Sequence, residues 1–291
     1  MRYQVDNAVI MCAGSSSRFA PLSYEKSKAL TVVKGEVLLE RQIRQLIAAG
    51  IPEIYLVLGY KKEQFEYLRD LFKVKLLENT EWTVRNNNSS IRAAEKYIRN
   101  TYICSADNYF SVNPFEKEVD GAYYSAVYAD GETEEWCMTE DEEGFIDSVT
   151  IGGRDAWYML GHAFWSEEFS REFLGILDEI YDEPETANLL WESIFMRHLD
   201  RLKMKIRRYP RDEIYEFDTL DELRQFDISY IDDTRSAILR DIAERLCLRE
   251  SDITEIRPLK QGNEAAGIRF LAAGKAYKYR FDNRELLFVE N

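Results

Sequence analysis

Ala8-Val9-Ile10-Met11-Cys12-Ala13-Gly14-Ser15-Ser16-Ser17-Arg18 decides the fold. Its short, unbroken apolar run predicts a strand buried on both faces, as in a parallel sheet, and the run stops at a glycine that permits a tight turn. The same grammar recurs downstream. Ile54-Tyr55-Leu56-Val57-Leu58 runs into Gly59, and Tyr102-Ile103-Cys104-Ser105-Ala106 runs into Asp107. Between them, 38–49 repeats apolar residues at helical spacing and stops at Gly50. Residues 63–72 and 90–99 read as helices, and 74–77 as a short strand. Strands alternating with helices predict an α/β fold: a doubly wound, mostly parallel sheet with helices on both faces.

From about 122 the pattern becomes hairpin-rich. Strands are expected at 123–128, 145–151 and 157–164, with acidic turns at 130–135 and 139–144. Helices follow at 167–181 and 188–199, then strands at 205–209 and 214–218 and a helix at 220–226. Asp232-Asp233 marks a boundary, so two domains are expected, 1–230 and a small α+β appendage at 231–291. In the appendage, 234–246 is an amphipathic helix, and Gly262, Gly267 and Gly274 mark turns between short strands.

Fifty-three acidic against 38 basic residues give a net charge of −15, which repels nucleic acid and anionic membranes. An anionic substrate therefore needs a locally basic or metal-bearing site. The four cysteines are far apart, and the two histidines, His162 and His198, are isolated, so thiols in a reducing compartment and no histidine metal site are expected. No apolar run approaches the ~20 residues of a membrane span. With a polar opening at 2–7, a cytoplasmic protein is expected.

A glycine followed by three small serines lets backbone N–H groups approach a phosphate chain. Arg18 and Lys28 would neutralise triphosphate oxygens, although a plain strand–helix turn with a stray arginine reads the same way. The loop matches neither the Walker nor the dinucleotide pattern. Asp107 and Asp218 brought to one sheet edge would make a hard-oxygen site for Mg²⁺; Asp218 also fits a helix N-cap. Trp136, Trp157, Tyr158, Trp165 and Trp191, with Glu135 and Glu192, suit either a quaternary ammonium or a core.

Ala13-Gly14, Arg18, Pro21-Leu22 and Lys28-x-Leu30 resemble the signature loop of the sugar-phosphate nucleotidyltransferases, which have the nucleotide-diphospho-sugar transferase fold. Residues 8–225 are similar to bacterial CTP:phosphocholine cytidylyltransferases, through Leu39-Glu40-Arg41, Gly59-Tyr60, 63–68, Trp136, Trp191-Glu192 and Asp212-Glu213-Ile214-Tyr215-Glu216-x-Asp218. The resemblance implies a Mg²⁺-dependent enzyme making CDP-choline and pyrophosphate from CTP and phosphocholine. The alternatives are a sugar 1-phosphate or phosphoethanolamine acceptor, or a non-catalytic nucleotide-binding protein. It further implies that 13–18 (Ala13, Gly14, Ser15, Ser16, Ser17 and Arg18), Lys28, Asn86, Ser89 and Ser90 hold the nucleotide. Asp107 and Asp218, with Glu216 as a third carboxylate, hold the metal. Trp136, Trp157, Tyr158, Trp191, Glu192 and Tyr215 box the choline. Ser16 stands in place of the family's second loop glycine, and Leu190 in place of a tyrosine. The tail resembles the first strands of a choline/ethanolamine kinase without its catalytic lobe, so no kinase activity is expected.

Overall fold

The computed structural model describes residues 2–262 and 264–289; the outermost ends of the two expected domains, residues 1 and 290–291, lie outside them. The chain divides into two compact units, Met1–Gly14 with Leu39–Glu216, and Ser15–Leu38 with Phe217–Asn291. The expected break at 230/231 is not a boundary between these units. Residues 15–38 hold only single turns and two-residue strands, and they share a unit with everything after Glu216.

The first unit is built on a seven-stranded sheet. Its order across the sheet is Lys205–Tyr209, Tyr123–Glu140, Ile146–Trp165, Thr101–Ser105, Asn7–Cys12, Ile54–Leu58 and Lys75–Glu78. Only Ile146–Trp165 runs antiparallel to its neighbours; the remaining pairs are parallel. The central strands carry no polar alternation because both their faces are covered: Val9, Leu56, Val57 and Ile103 are all at most 1% exposed. On one face, Val9, Tyr55, Val57 and Ile103 join a core with Ile91 and Ala94 of helix Asn88–Ala94. Phe169, Phe173 and Leu177 of helix Glu167–Ile180 enter the same core, as do Trp191, Ile194 and Phe195 of helix Trp191–Arg197. Helix Leu38–Ala48 buries Leu39, Ile43 and Leu46 completely, as its 3.6-residue spacing predicts.

The hairpin half differs from expectation. The stretch expected as an acidic turn, 130–135, lies within one bulged strand, Tyr123–Glu140. Bulges bend the ribbon so far that Cys137 pairs with Thr150 on one side and Tyr158 on the other. The tight turn falls at 141–145, where the Asp141 carboxylate accepts from the backbone N–H groups of Glu143 and Phe145. His162 is buried. It sits among Tyr102, Phe110, Phe115, Tyr123 and Tyr209, with Nε2 2.8 Å from the Tyr123 hydroxyl.

In the second unit, a four-stranded antiparallel sheet, Ile253–Gln261, Glu264–Ala272, Lys275–Arg280 and Leu286–Phe288, accompanies helix Ala237–Leu246. Gly262 and Gly274 occupy turns, but Gly267 lies inside a strand, where a Cβ would come within 2.4 Å of the Tyr279 carbonyl.

Candidate active site

The parallel strands end level, since Cys12 pairs with Leu58, Leu58 with Glu78 and Met11 with Ser105. They deliver Ala13-Gly14, Gly59-Tyr60, Asn79 and Asp107 to one carboxyl edge, where such sheets bind ligands. The Tyr60 N–H donates to the Ala13 carbonyl at 3.0 Å, fixing the start of the signature loop. A Cβ on Gly14 would meet no atom within 4 Å, so packing within the protein does not demand a glycine there. The small residue leaves open space beside an exposed stretch of backbone. Asp107 follows its strand in a turn. After burial, the Asp107 charge is the main influence raising the Cys12 thiol, which places this carboxylate close to the end of strand Asn7–Cys12.

Sequence reasoning missed Trp82. Its indole lies against Gly59, whose Cβ would approach the ring at 2.6 Å and the Ala13 carbonyl at 2.9 Å, and it meets Tyr60 edge-on at 5.6 Å. The signal was its place just past the end of strand Lys75–Glu78, on the ligand-binding edge.

In the second unit, Ser16 opens a single turn, Ser17–Phe19, in the left-handed conformation with φ 47° and ψ 47°. That backbone explains the family glycine at this position: Ser16 keeps the path at a cost of about 1 kcal/mol. The turn presents Arg18, whose guanidinium pairs with Asp218 at 2.8 Å. Lys28, almost fully buried, reaches the other Asp218 oxygen at 3.6 Å and lies 5.8 Å over the Phe19 ring. Asp218 is not the N-cap. Thr219 takes that role through a capping box with Glu222, leaving the Asp218 carboxylate to the two cations.

Of the expected nucleotide contacts, Ser89 and Ser90 are corrected. They are 1% and 3% exposed, and both hydroxyls accept from the Asn79 side chain. Asn86 is also engaged within the protein, donating from its backbone to the Ala187 carbonyl and from its side chain to the Asn188 carbonyl.

The expected choline box is redistributed. Trp191 is 1% exposed, stacked on Tyr124 at 5.5 Å and packed edge-on against Trp165; it is core. Trp157 already carries a cation, the Arg208 guanidinium 5.3 Å from its ring. Strand alternation sends Tyr215 towards Tyr109, away from the side of its neighbour Glu216. Trp136 is half-buried against the core.

What gathers instead is a pair of phenols and carboxylates. Glu192 accepts from Asn87 Nδ2 at 3.1 Å and the Tyr124 hydroxyl at 3.3 Å, and burial raises its carboxyl to about 7. Burial, and then the charges of Glu192 and Glu216, push the Tyr124 phenol up; burial and Glu135 raise the Tyr158 phenol, opposed by the Arg211 charge and aided by Glu216. Both phenols thus feel the Glu216 charge.

Among the described residues no three His, Cys, Asp or Glu side chains gather as a cation-holding group. Asp107 in the first unit and Asp218 in the second each offer hard carboxylate oxygens, the donor type that Mg²⁺ takes one or two of beside water and substrate phosphate.

A model of the MobA-like NTP transferase domain matches residues 8–129. The chain is 34% identical to 2-aminoethylphosphonate cytidylyltransferase of Lancefieldella rimae, over 77% of this chain and 93% of that protein. It is 27% identical to choline-phosphate cytidylyltransferase of Streptococcus pneumoniae, over 76% and 96%. Among solved structures, CTP:phosphocholine cytidylyltransferase from Streptococcus pneumoniae superposes with a TM-score of 0.73 at 28% identity, covering 77% of this chain and 97% of that one. The inositol-1-phosphate CTP transferase from T. maritima, at 15% identity and TM-score 0.59, shares the fold over 76% and 93%.

Proposed function

The chain belongs to the cytidylyltransferases with a MobA-like NTP transferase domain, and from that premise we propose that it joins CTP to a small acceptor carrying both a phosphoryl or phosphonyl group and a cationic nitrogen, phosphocholine first among them, with loss of pyrophosphate. The observation that carries this reading is Glu192, a half-buried carboxylate held by Asn87 and by Tyr124, whose phenol also feels the Glu216 charge. A sugar acceptor needs neutral hydrogen-bonding partners; a cationic nitrogen needs negative charge and aromatic faces.

In the proposed reaction an acceptor oxygen attacks the α-phosphorus of CTP. The new P–O bond forms as the bond to the β-phosphate's bridging oxygen breaks, and pyrophosphate leaves with that electron pair. The nucleophile is ionised at neutral pH, so no general base is required, in keeping with a His162 that burial holds down at about 3. The groups proposed for the triphosphate are the backbone at Gly14 and the Arg18 and Lys28 cations, with Trp82 proposed as the face on which the base stacks. Asp107 and Asp218 are the proposed carboxylates for Mg²⁺, which when bound neutralises phosphate charge.

A second reading has specific support. With Trp191 in the core and Trp157 under Arg208, few aromatic faces remain for a trimethylammonium. A primary ammonium, with three N–H donors, suits the Glu192 carboxylate directly, which favours 2-aminoethylphosphonate or phosphoethanolamine. Steady-state kinetics with phosphocholine, phosphoethanolamine, 2-aminoethylphosphonate and glucose 1-phosphate separate the readings. Turnover confined to the amine-bearing acceptors supports the proposal, and their order of kcat/KM decides between primary and quaternary nitrogen. Equal or better turnover of glucose 1-phosphate refutes it.

A further inference from the structure

Residues 15–38 carry the cations assigned to the triphosphate, yet the segment has little means of holding its own shape. Its elements are two three-residue turns, a four-residue helix and two two-residue strands, all far below the length at which helices or hairpins are stable alone. Its shape comes from the chain after 217, at three places. Strand Ile253–Gln261 runs beside the turn Ser17–Phe19 that presents Arg18. Just before Lys28, the Tyr24 ring packs on Phe281 at 4.2 Å, and the Glu25 carboxylate accepts the Ile238 N–H at 3.1 Å, at the first turn of helix Ala237–Leu246. Just after Lys28, the Val32 carbonyl accepts from the Tyr230 hydroxyl at 2.7 Å and from the Arg235 guanidinium at 3.1 Å, while the Lys34 N–H donates to Asp227 at 2.7 Å. Arg235 is itself braced, its guanidinium 4.1 Å over the Tyr230 ring and donating to Ser229 Oγ at 2.9 Å.

Arg18 therefore lies at one fastened place, and Lys28 between the other two. Resting on the functional reading above, we infer that the C-terminal sheet and helix are a clamp that presets the phosphate-binding segment, so that nucleotide affinity depends on residues of the tail that touch no substrate. Arg235 and Phe281 act as positioning residues. Preorganisation of this kind removes ordering entropy that binding would otherwise have to supply.

The test uses the full chain with Arg235→Ala, Phe281→Ala and the double variant. CTP binding is measured by calorimetry, kcat and both KM values by pyrophosphate release, and amide exchange by mass spectrometry. Each single change is expected to weaken CTP binding about two- to tenfold, the scale of one lost hydrogen bond or ring contact, with the acceptor KM unchanged. Exchange is expected to quicken over 15–34 while strands Asn7–Cys12 and Thr101–Ser105 stay protected. Arg235→Lys and Phe281→Tyr, which keep the charge or the ring, should recover part of the loss. Variants with wild-type CTP affinity, or with exchange at 15–34 unchanged, overturn the clamp while leaving the catalytic reading intact. A wild-type protein that binds no nucleoside triphosphate overturns both.

Discussion

At the residue scale, chemistry is concentrated in a few charged groups whose partners are now specific. The raised carboxyl of Glu192 gives a signed pH dependence. The ionised form is the one that attracts a cationic acceptor, so kcat/KM for the acceptor should rise as pH passes through about 7. Glu192→Gln should flatten that rise and raise the acceptor KM roughly tenfold or more, leaving the CTP KM unchanged. For stability the sign is opposite. The folded protein holds the Glu192 proton up to about 7 while the unfolded chain releases it near 4.5, so this group makes stability fall as pH climbs between those values. Thermal unfolding of wild type and Glu192→Gln across pH 4.5 to 7.5 reads the difference. On the nucleotide side, Lys28→Met should cost kcat on the order of a hundredfold, as loss of one preorganised donor does elsewhere, in a rapid-quench assay at saturating substrates. That Gly14 and Asp107 follow strands which pair side by side was legible in the sequence, because an apolar run ending in a turn residue is local information. The fate of Tyr215 and Trp157 was not, because which face a side chain takes depends on register and on neighbours such as Arg208 that are distant in sequence.

At the element scale, the close approach at Gly59 makes two strand-end turns interdependent. Gly59→Ala sets a methyl against the Trp82 ring and the Ala13 carbonyl, and should destabilise by about 1–3 kcal/mol. Because the indole is the nearest obstacle, Trp82→Ala should relieve part of that cost. A double-mutant cycle in urea should therefore show favourable coupling, and strict additivity would refute the packing described. Trp191 belongs to the helix core, not to the acceptor. Trp191→Ala should cost about 3–5 kcal/mol, whereas Trp191→Phe should keep the acceptor KM near wild type. The regular elements of the first half were readable because an unbroken apolar run ending in glycine has few other solutions. The hairpin half was not: its bulges let the acidic stretch 130–135 stay within a strand, and period-two reasoning takes such interruptions for turns.

At the scale of the whole molecule, the doubly wound sheet was set by the alternation of strands and helices, while the division of the chain was not. Composition shifts and the Asp232-Asp233 pair mark a place where sequence character changes. They carry no information on what residues 15–38 pack against, and those residues join the unit formed after Glu216. The central claim for the molecule is transfer of a cytidylyl group to an acceptor that presents a cationic nitrogen. The most direct test incubates the purified chain with Mg²⁺, each of the four nucleoside triphosphates and either phosphocholine or 2-aminoethylphosphonate, and follows the nucleotidyl product by mass against pyrophosphate. The expected result is a CDP-linked product from CTP in one-to-one ratio with pyrophosphate, lost with Lys28→Met and selectively weakened with Glu192→Gln. Pyrophosphate without that product, or a product formed equally well by Glu192→Gln, would contradict it.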